Sequence, residues 1–374
     1  MLTASSRQRD FPSLTDRTYL NTAAEGISPP AVHEALAAYS SDRLLGFDGR
    51  KKHEEHARAL KRRVGKFFGL TEGEVSMCSC SSEAYNLACL ALNAKEGDEV
   101  VVNDLDYPAG VTPWMSASCP ATVKIWRNRE GALHVEDLIP LLGSRTRLVQ
   151  TSLVSYYNGF LLPLRPFLEA VRKGSPALVA VDVTQALGRI PLDLDDVDLI
   201  ISSTHKWVLG SHGGGLVGVP ARRAGQWTAP AGGWFNFREP FASDRFDRLP
   251  EVLPGAASFA VGMPNYAAIY AVGAALEYLD GVGVAAIEAC SRPLVAECLE
   301  ELRRLPVQVI TPGSAEESAG IVAFRHADSE RLAAALHSAG IHVMYTDGRI
   351  RVSIHGYNTS ENVRTFLRVL KEAL

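Results

Sequence analysis

The sequence predicts an α/β protein: a large, mainly parallel β-sheet domain with helices on both faces, plus a smaller α+β domain. Three observations carry this. Short apolar runs alternate with helix-patterned stretches, and strands separated by helices pair in parallel. Runs such as Ala177-Leu-Val-Ala-Val181 are apolar throughout, as strands covered on both faces must be. At 374 residues the chain is long enough for two or three domains of ~100–200 residues, and its pattern changes near residue 225.

Taken in order, Ala57, Leu60, Val64, Phe67 and Phe68 recur at helical spacing. The basic residues around them (Arg50, Lys51, Lys52, Arg58, Lys61, Arg62, Arg63, Lys66) read as the solvated face of that helix. Glu54 and Glu55 dilute the charge and no aromatic residue is interleaved, so a nucleic-acid patch is not indicated. Strands are expected at 75–78, 99–103, 122–126, 148–152, 178–181, 199–202 and 215–219, with helices near 83–93, 109–117, 135–142 and 164–173. Gln226–Pro254, rich in Pro, Gly, Trp and Phe, reads as an irregular loop. A long helix is expected from Pro264-Asn265. The tail then reads as strands at 307–310 and 320–324, a helix at 329–339, strands at 342–345 and 350–353, and a helix at 360–374.

Composition narrows the function classes. The chain is 47% hydrophobic and 21% charged, which excludes a disordered or collagen-like chain. Its 38 Lys+Arg against 42 Asp+Glu give a net charge of −4, so no global positive field attracts nucleic acid or an anionic membrane. No apolar run reaches the ~18 residues of a membrane span; the best, Tyr266–Leu276, is closed by Glu277 and Asp280. The opening MLTASSRQRDFPSL lacks the apolar core of a signal peptide. Six scattered cysteines suit reduced thiols, and a cytoplasmic location is expected.

In doubly wound sheets ligands sit at the carboxyl ends of the strands, and three such ends carry polar clusters. In Cys78-Ser-Cys-Ser-Ser-Glu-Ala-Tyr-Asn86, Ser81 and Ser82 open a helix, where free N–H groups and the helix dipole suit a phosphate; a plain serine cap is the alternative. Cys78 and Cys80 have no partner pair at metal-ligand spacing, and no metal is expected. Asp182 ends an apolar strand, as a helix cap or as partner to a cationic ligand group. Ser202-Ser-Thr-His-Lys-Trp207 puts Lys206 straight after a buried strand. Partly desolvated, a lysine there becomes a nucleophilic amine; the alternative is a snorkelling surface lysine. Gly213, Gly214 and Gly215 lack the pattern of a P-loop. Asp182 and Lys206 lie 24 residues apart, which fits neighbouring strand ends. Lysine, carboxylate and phosphate cradle at one sheet edge meet the needs of pyridoxal phosphate: the lysine forms the Schiff base and the Asp keeps the ring nitrogen protonated.

At this point the sequence resembles the class V aminotransferase and cysteine desulfurase superfamily of pyridoxal-phosphate enzymes (fold type I). The likeness runs in order through Thr18-Tyr-Leu-Asn-Thr-Ala-Ala24, Ser81-Ser-Glu-Ala-Tyr-Asn86, Asp106-Tyr-Pro-Ala-Gly-Val-Thr-Pro-Trp114, Asp182-Val-Thr-Gln-Ala186, Ser203-Thr-His-Lys206 and Arg351-Val-Ser-Ile-His-Gly-Tyr-Asn-Thr359. It implies Lys206 as Schiff-base lysine and proton shuttle, Asp182 at the ring nitrogen, Gln185 at the ring oxygen and Tyr107 stacked on the ring. Ser81, Ser82, Ser203 and His205 are then implied to hold the phosphate, and Arg351 the substrate carboxylate through its planar fork. Tyr156, His355 and Asn21 complete the implied substrate side. The same order divides the chain into a cofactor domain, 30–262, and a small domain, 1–29 with 263–374, assembled as a homodimer.

Departures from the family bear on substrate. Desulfurases carry a catalytic cysteine before the C-terminal arginine, but residues 341–351 read IHVMYTDGRIR, and a persulfide mechanism needs that thiolate. The family's mid-chain Asn is Tyr156, and the Gly-Thr that lends a phosphate contact from a second subunit reads Gly262-Met263-Pro264. The expectation is therefore an enzyme acting at the α and β carbons of an L-amino acid, foremost a C–S lyase eliminating sulfur from cysteine or an S-conjugated cysteine. Decarboxylation-dependent deamination, transamination and epimerisation are alternatives, and a non-enzymatic binding protein stands last. Tyr156 and the loop Trp234-Phe-Asn-Phe237 suggest a bulky substrate side chain.

Overall fold

The computed structural model describes the backbone of residues 1–374 and every side chain except that of Glu316. The N-terminal third supplies α1 (Ala4–Asp10), β1 (Thr18–Tyr19), α2 (Pro30–Arg43), α3 (Arg50–Phe68), β2 (Val75–Cys78), α4 (Ser81–Leu92), β3 (Glu99–Asn103), α5 (Pro108–Val111) and β4 (Thr122–Trp126). Then come α6 (Val135–Leu138), β5 (Thr146–Ser152), α7 (Leu164–Gly174), β6 (Leu178–Asp182), β7 (Leu199–Ser203) and β8 (Gly215–Gly218). After the irregular stretch the chain forms α8 (Tyr266–Val282), α9 (Val284–Arg303), β9 (Gln308–Val309), β10 (Ile321–Arg325), α10 (Ser329–Ser338), β11 (Ile341–His342), β12 (Met344–Thr346), β13 (Arg349–Ser353) and α11 (Ser360–Ala373).

Strands β2–β8 form one seven-stranded sheet in the order β2-β8-β7-β6-β5-β3-β4. It is parallel from β4 to β7, while β8 runs antiparallel to both its neighbours. Successive side chains of a strand face opposite ways, which explains the continuous apolar runs. Val101, Val149, Val179, Val181 and Ile200 meet α3, α7 and α8 on one face; Val100, Val102, Leu148, Ala180 and Ile201 meet α4, Trp114, Trp227 and Phe259 on the other. Each fully buried aliphatic side chain contributes ~1.5–3 kcal/mol.

A second sheet, β12-β13-β10-β9, is antiparallel and packs under α9, α10 and α11. The N-terminal segment joins it through the parallel pair β1–β11. Helix α8 buries Ile269, Tyr270, Val272 and Ala275 in the core of the large sheet and so ties the tail to it.

Three sequence expectations change. The strand expected at 342–345 is split between β11, paired with β1, and β12, paired with β13. The long helix from residue 264 is two helices, bent by 73° at Gly283, whose φ of 85° favours glycine. The helix expected at 109–117 stops at Val111, because Pro113 has no N–H to continue the ladder. Helix α2 had no strong periodic signal, since only Val32 and Asp42 of its residues are buried. Among the described residues no single helix is long and apolar enough to cross a membrane.

Candidate active site

A cavity of about 370 Å³ opens between the two sheets, within the ~300–1,000 Å³ usual for small-ligand sites. It collects the carboxyl ends of β6 and β7, the start of α4, Tyr107 before α5, Ala23 and Ala24 of the N-terminal segment, and Met344 and Arg351 of the small sheet.

Lys206 enters three residues after β7. Its amine has no carboxylate within ion-pair distance among the described residues, and lies 5.1 Å from the Tyr107 ring centroid. Burial lowers its pKa to about 8, with Arg351 nearby adding to the fall while Asp182 and Glu25 oppose it. The N-terminal segment crosses directly over this turn: Gly26 donates its N–H to the His205 carbonyl (2.8 Å), and a side chain at position 26 would collide with the Lys206 carbonyl.

Asp182, 6% exposed, is fixed from two sides. One carboxylate oxygen accepts the Thr184 N–H (2.6 Å) and the other the Tyr85 hydroxyl (2.6 Å). Gln185 is braced too, donating to the Ala23 carbonyl (3.1 Å) and accepting from the Trp207 indole (2.6 Å).

The cap of α4 is Cys80, whose sulfur accepts the Glu83 N–H at 3.4 Å. Ser81 and Ser82 are thus the first two helical residues rather than the cap. Ser81 meets Ser203 hydroxyl to hydroxyl at 2.9 Å. Gly215 lies so close that a Cβ would collide with the Cys80 backbone, leaving the helix start open as an anion cradle. His205 stacks on His212 at 4.5 Å; burial, then the charge of Lys206, pushes its pKa down to about 4, so it is neutral at pH 7. His212 in turn meets Glu25 at 3.2 Å at the rim.

On the far wall, Tyr107 packs edge-on against Tyr156 at 4.9 Å. Arg351, 2% exposed, donates to the Tyr156 carbonyl (2.7 Å), while its buried Nε has no partner. Burial, then neighbouring Arg349, lowers its pKa to about 10, so it remains a cation.

The structure therefore brings together Ser81, Ser82, Tyr107, Tyr156, Asp182, Gln185, Ser203, His205, Lys206 and Arg351. It does not bring His355. That ring lies behind the cavity, stacked between Trp207 and Tyr357. Its Nδ1 accepts the Gly356 N–H (2.7 Å) and its Nε2 faces the Trp207 carbonyl (3.2 Å), so neither nitrogen is free for a substrate. Asn21 also stands off the lining: it bridges Ser353, and Ala23 and Ala24 face the cavity instead. The aromatic loop likewise turns away, Trp234 packing on Phe235 and Phe241. Sequence reasoning missed Tyr85, Ser152, Thr184, His212 and Met344; Thr184 alone had a signal, sitting between Asp182 and Gln185.

The donor set fits pyridoxal phosphate. The open cradle at Ser81 suits a phosphate, the doubly anchored Asp182 carboxylate suits a ring N–H, the unpaired Lys206 amine suits an aldehyde, and the orphaned Arg351 Nε suits a carboxylate.

Comparison with known proteins agrees. Residues 18–366 match the family model of aminotransferase class V. An uncharacterized aminotransferase of Bacillus subtilis, YcbU, is 26% identical over 357 residues, covering 95% of this chain and 94% of its own. A probable cysteine desulfurase of Pasteurella multocida is 28% identical over 319 residues, covering 80% of this chain and 73% of its own. The fold is shared with the apo cysteine desulfurase of Thermococcus onnurineus NA1, with TM-score 0.89 at 22% identity over 100% of this chain and 98% of that one. It is shared also with the cystine C–S lyase C-DES, solved with its product cysteine persulfide, with TM-score 0.86 at 22% identity over 97% and 99%. The chain belongs to the class V aminotransferase family and is a pyridoxal-phosphate-dependent enzyme.

Proposed function

We propose that this enzyme is a C–S lyase that eliminates sulfur from cysteine or an S-conjugated cysteine. The observation that carries the reading is the segment before Arg351. It is a tight hairpin, β12–β13, turning at Asp347 (φ 51°) and Gly348 (φ 72°), and it holds no thiol. Among the described residues Cys80 is the cysteine on the cavity wall, and it sits at the start of α4 beside Ser81 and Ser82 rather than on the Arg351 side. The segment that carries the desulfurase thiol thus offers none here, whereas a base is present.

When bound, the cofactor supplies an electron sink for a carbanion at Cα. Lys206 holds the cofactor and then takes the Cα proton on its neutral amine. The Cβ–S electron pair leaves with sulfur as a thiolate, and water completes release of pyruvate and ammonia. Arg351 orients the substrate by pairing its carboxylate. Asp182 would accept the ring N–H and keep the ring nitrogen protonated, Gln185 would meet the ring oxygen, Tyr107 would stack on the ring, and Ser81, Ser82, Ser203 and His205 would hold the phosphate. Tyr156 and Met344 frame the side-chain space.

A panel of S-substituted cysteines and unsubstituted amino acids tests the reading. Thiol, pyruvate and ammonia in equal amounts support it. Carbon dioxide release, dependence on a keto acid, or racemisation without product would replace it with decarboxylation, transamination or epimerisation.

A further inference from the structure

Beside the cavity, one hydrogen bond from its wall through Ser152, a second buried carboxylate lies at the end of a hydrogen-bonded chain leading to Asp182. The Tyr85 hydroxyl donates to Asp182 (2.6 Å). Gln150 Nε2 reaches both the Tyr85 oxygen (3.5 Å) and an Asp106 oxygen (3.4 Å). Asp106 also accepts from the Ser152 hydroxyl, the Tyr107 N–H (2.9 Å) and the Asn103 amide (3.5 Å). The chain crosses three adjacent strands: Asp106 follows β3, Gln150 and Ser152 lie on β5, and Asp182 ends β6. Tyr85, Gln150, Asp106 and Asp182 are all buried. Gly110 makes room for them, since a Cβ there would press on the Gln150 amide at 3.1 Å.

We infer that Tyr85 and Asp106 are positioning residues for the cofactor's ring nitrogen, Tyr85 fixing the Asp182 carboxylate and Asp106 tuning its field through the Gln150–Tyr85 bridge. The inference rests on the placement of Asp182 at the ring nitrogen proposed above.

Three features point this way. Tyr85 spends its only proton on Asp182, so with the Thr184 N–H it sets the carboxylate plane and leaves the remaining lone pairs for the cavity. The Gln150 carbonyl oxygen is buried without a partner, so a protonated Asp106 has an acceptor waiting after a simple amide flip. Asp106 also sits where its charge can change: burial first, with the Asp182 charge adding, pushes its pKa up to about 6 against the pull of Ser152 and Tyr107. The titratable groups facing it are Tyr85 from α4 and Asp182 from β6; β5 offers uncharged Gln150 and Ser152 and β3 uncharged Asn103. No lysine, arginine or histidine forms an ion pair with it among the described residues. Ionised Asp106 adds its negative potential to that of Asp182 and favours a proton on the ring nitrogen; protonated Asp106 withdraws it.

The test is the visible absorption of the purified holoenzyme between pH 5 and pH 9, with cofactor retention on dialysis, for wild type, Tyr85→Phe and Asp106→Asn. Wild type is expected to show a spectral step near pH 6. Asp106→Asn, an isosteric change that keeps an acceptor for Ser152, keeps the band and loses the step. Tyr85→Phe keeps the band, releases cofactor about tenfold more readily, as expected for a lost hydrogen bond to a charged group, and shows a diminished step. Identical pH courses in all three proteins, or a step that survives in Asp106→Asn, overturn the inference while leaving the cofactor site standing. A wild-type protein with no visible band overturns the cofactor placement, and the inference with it.

Discussion

At Lys206 the controlling effect is desolvation, which outweighs the attraction of Asp182 and Glu25 and lowers its pKa to about 8. The neutral amine is the reactive form, and it predominates above the folded-state pKa. Cofactor-free protein should therefore take up pyridoxal phosphate faster as pH rises from 7 to 9 and level off there, measured as growth of the visible band; a rise continuing toward the ordinary lysine value near 10.5 would contradict this. Arg351 makes a different prediction. Its planar fork can pair both carboxylate oxygens, which a lysine cannot, so Arg351→Lys should raise KM ~10–100-fold with a smaller effect on kcat. At this scale the sequence was legible where a chemically distinctive residue stands at or just beyond a strand end, as Asp182 and Lys206 do; Arg351, midway along β13, was reached only through the family resemblance. His355 was misread because adjacency in a motif does not fix direction, and its ring points into the core behind Trp207. Tyr85 was invisible because its partner Asp182 is 97 residues away, and its helical spacing marks only a core position.

The elements that shape the cavity do so through close backbone approaches. The start of α4 is open because Gly215 carries no side chain. Gly215→Ala should push α4 from β8, destabilise the fold by ~1–3 kcal/mol and weaken cofactor retention, read by denaturant unfolding with and without pyridoxal phosphate. Full cofactor affinity in that variant would show that the cradle lies elsewhere. The inner strands β6 and β7 were readable from their continuous apolar runs, the mark of cover on both faces, while edge strand β4, with Thr122 and Lys124, showed only as a short β-branched and aromatic run. The break between α8 and α9 was not, since Gly283 sits in a continuous helical pattern and only its backbone angle reveals the turn.

Over the whole molecule, the site exists only because two sheets meet: Lys206 and Asp182 come from one, Arg351 from the other, and Ala23 and Ala24 bridge them. Exposed Met263, Phe241, Phe246 and Leu249 suit burial against another surface, and we propose a homodimer. Sedimentation should give a particle twice the 40.4 kDa of one chain; a fully active monomer would refute it. The central claim, elimination at Cβ by Lys206 without a thiolate, is tested most directly by one measurement: the products released from an S-substituted cysteine. The wild-type enzyme should give thiol, pyruvate and ammonia one to one to one, and Lys206→Ala none. Turnover that leaves the C–S bond intact, or an undiminished yield from Lys206→Ala, would contradict it.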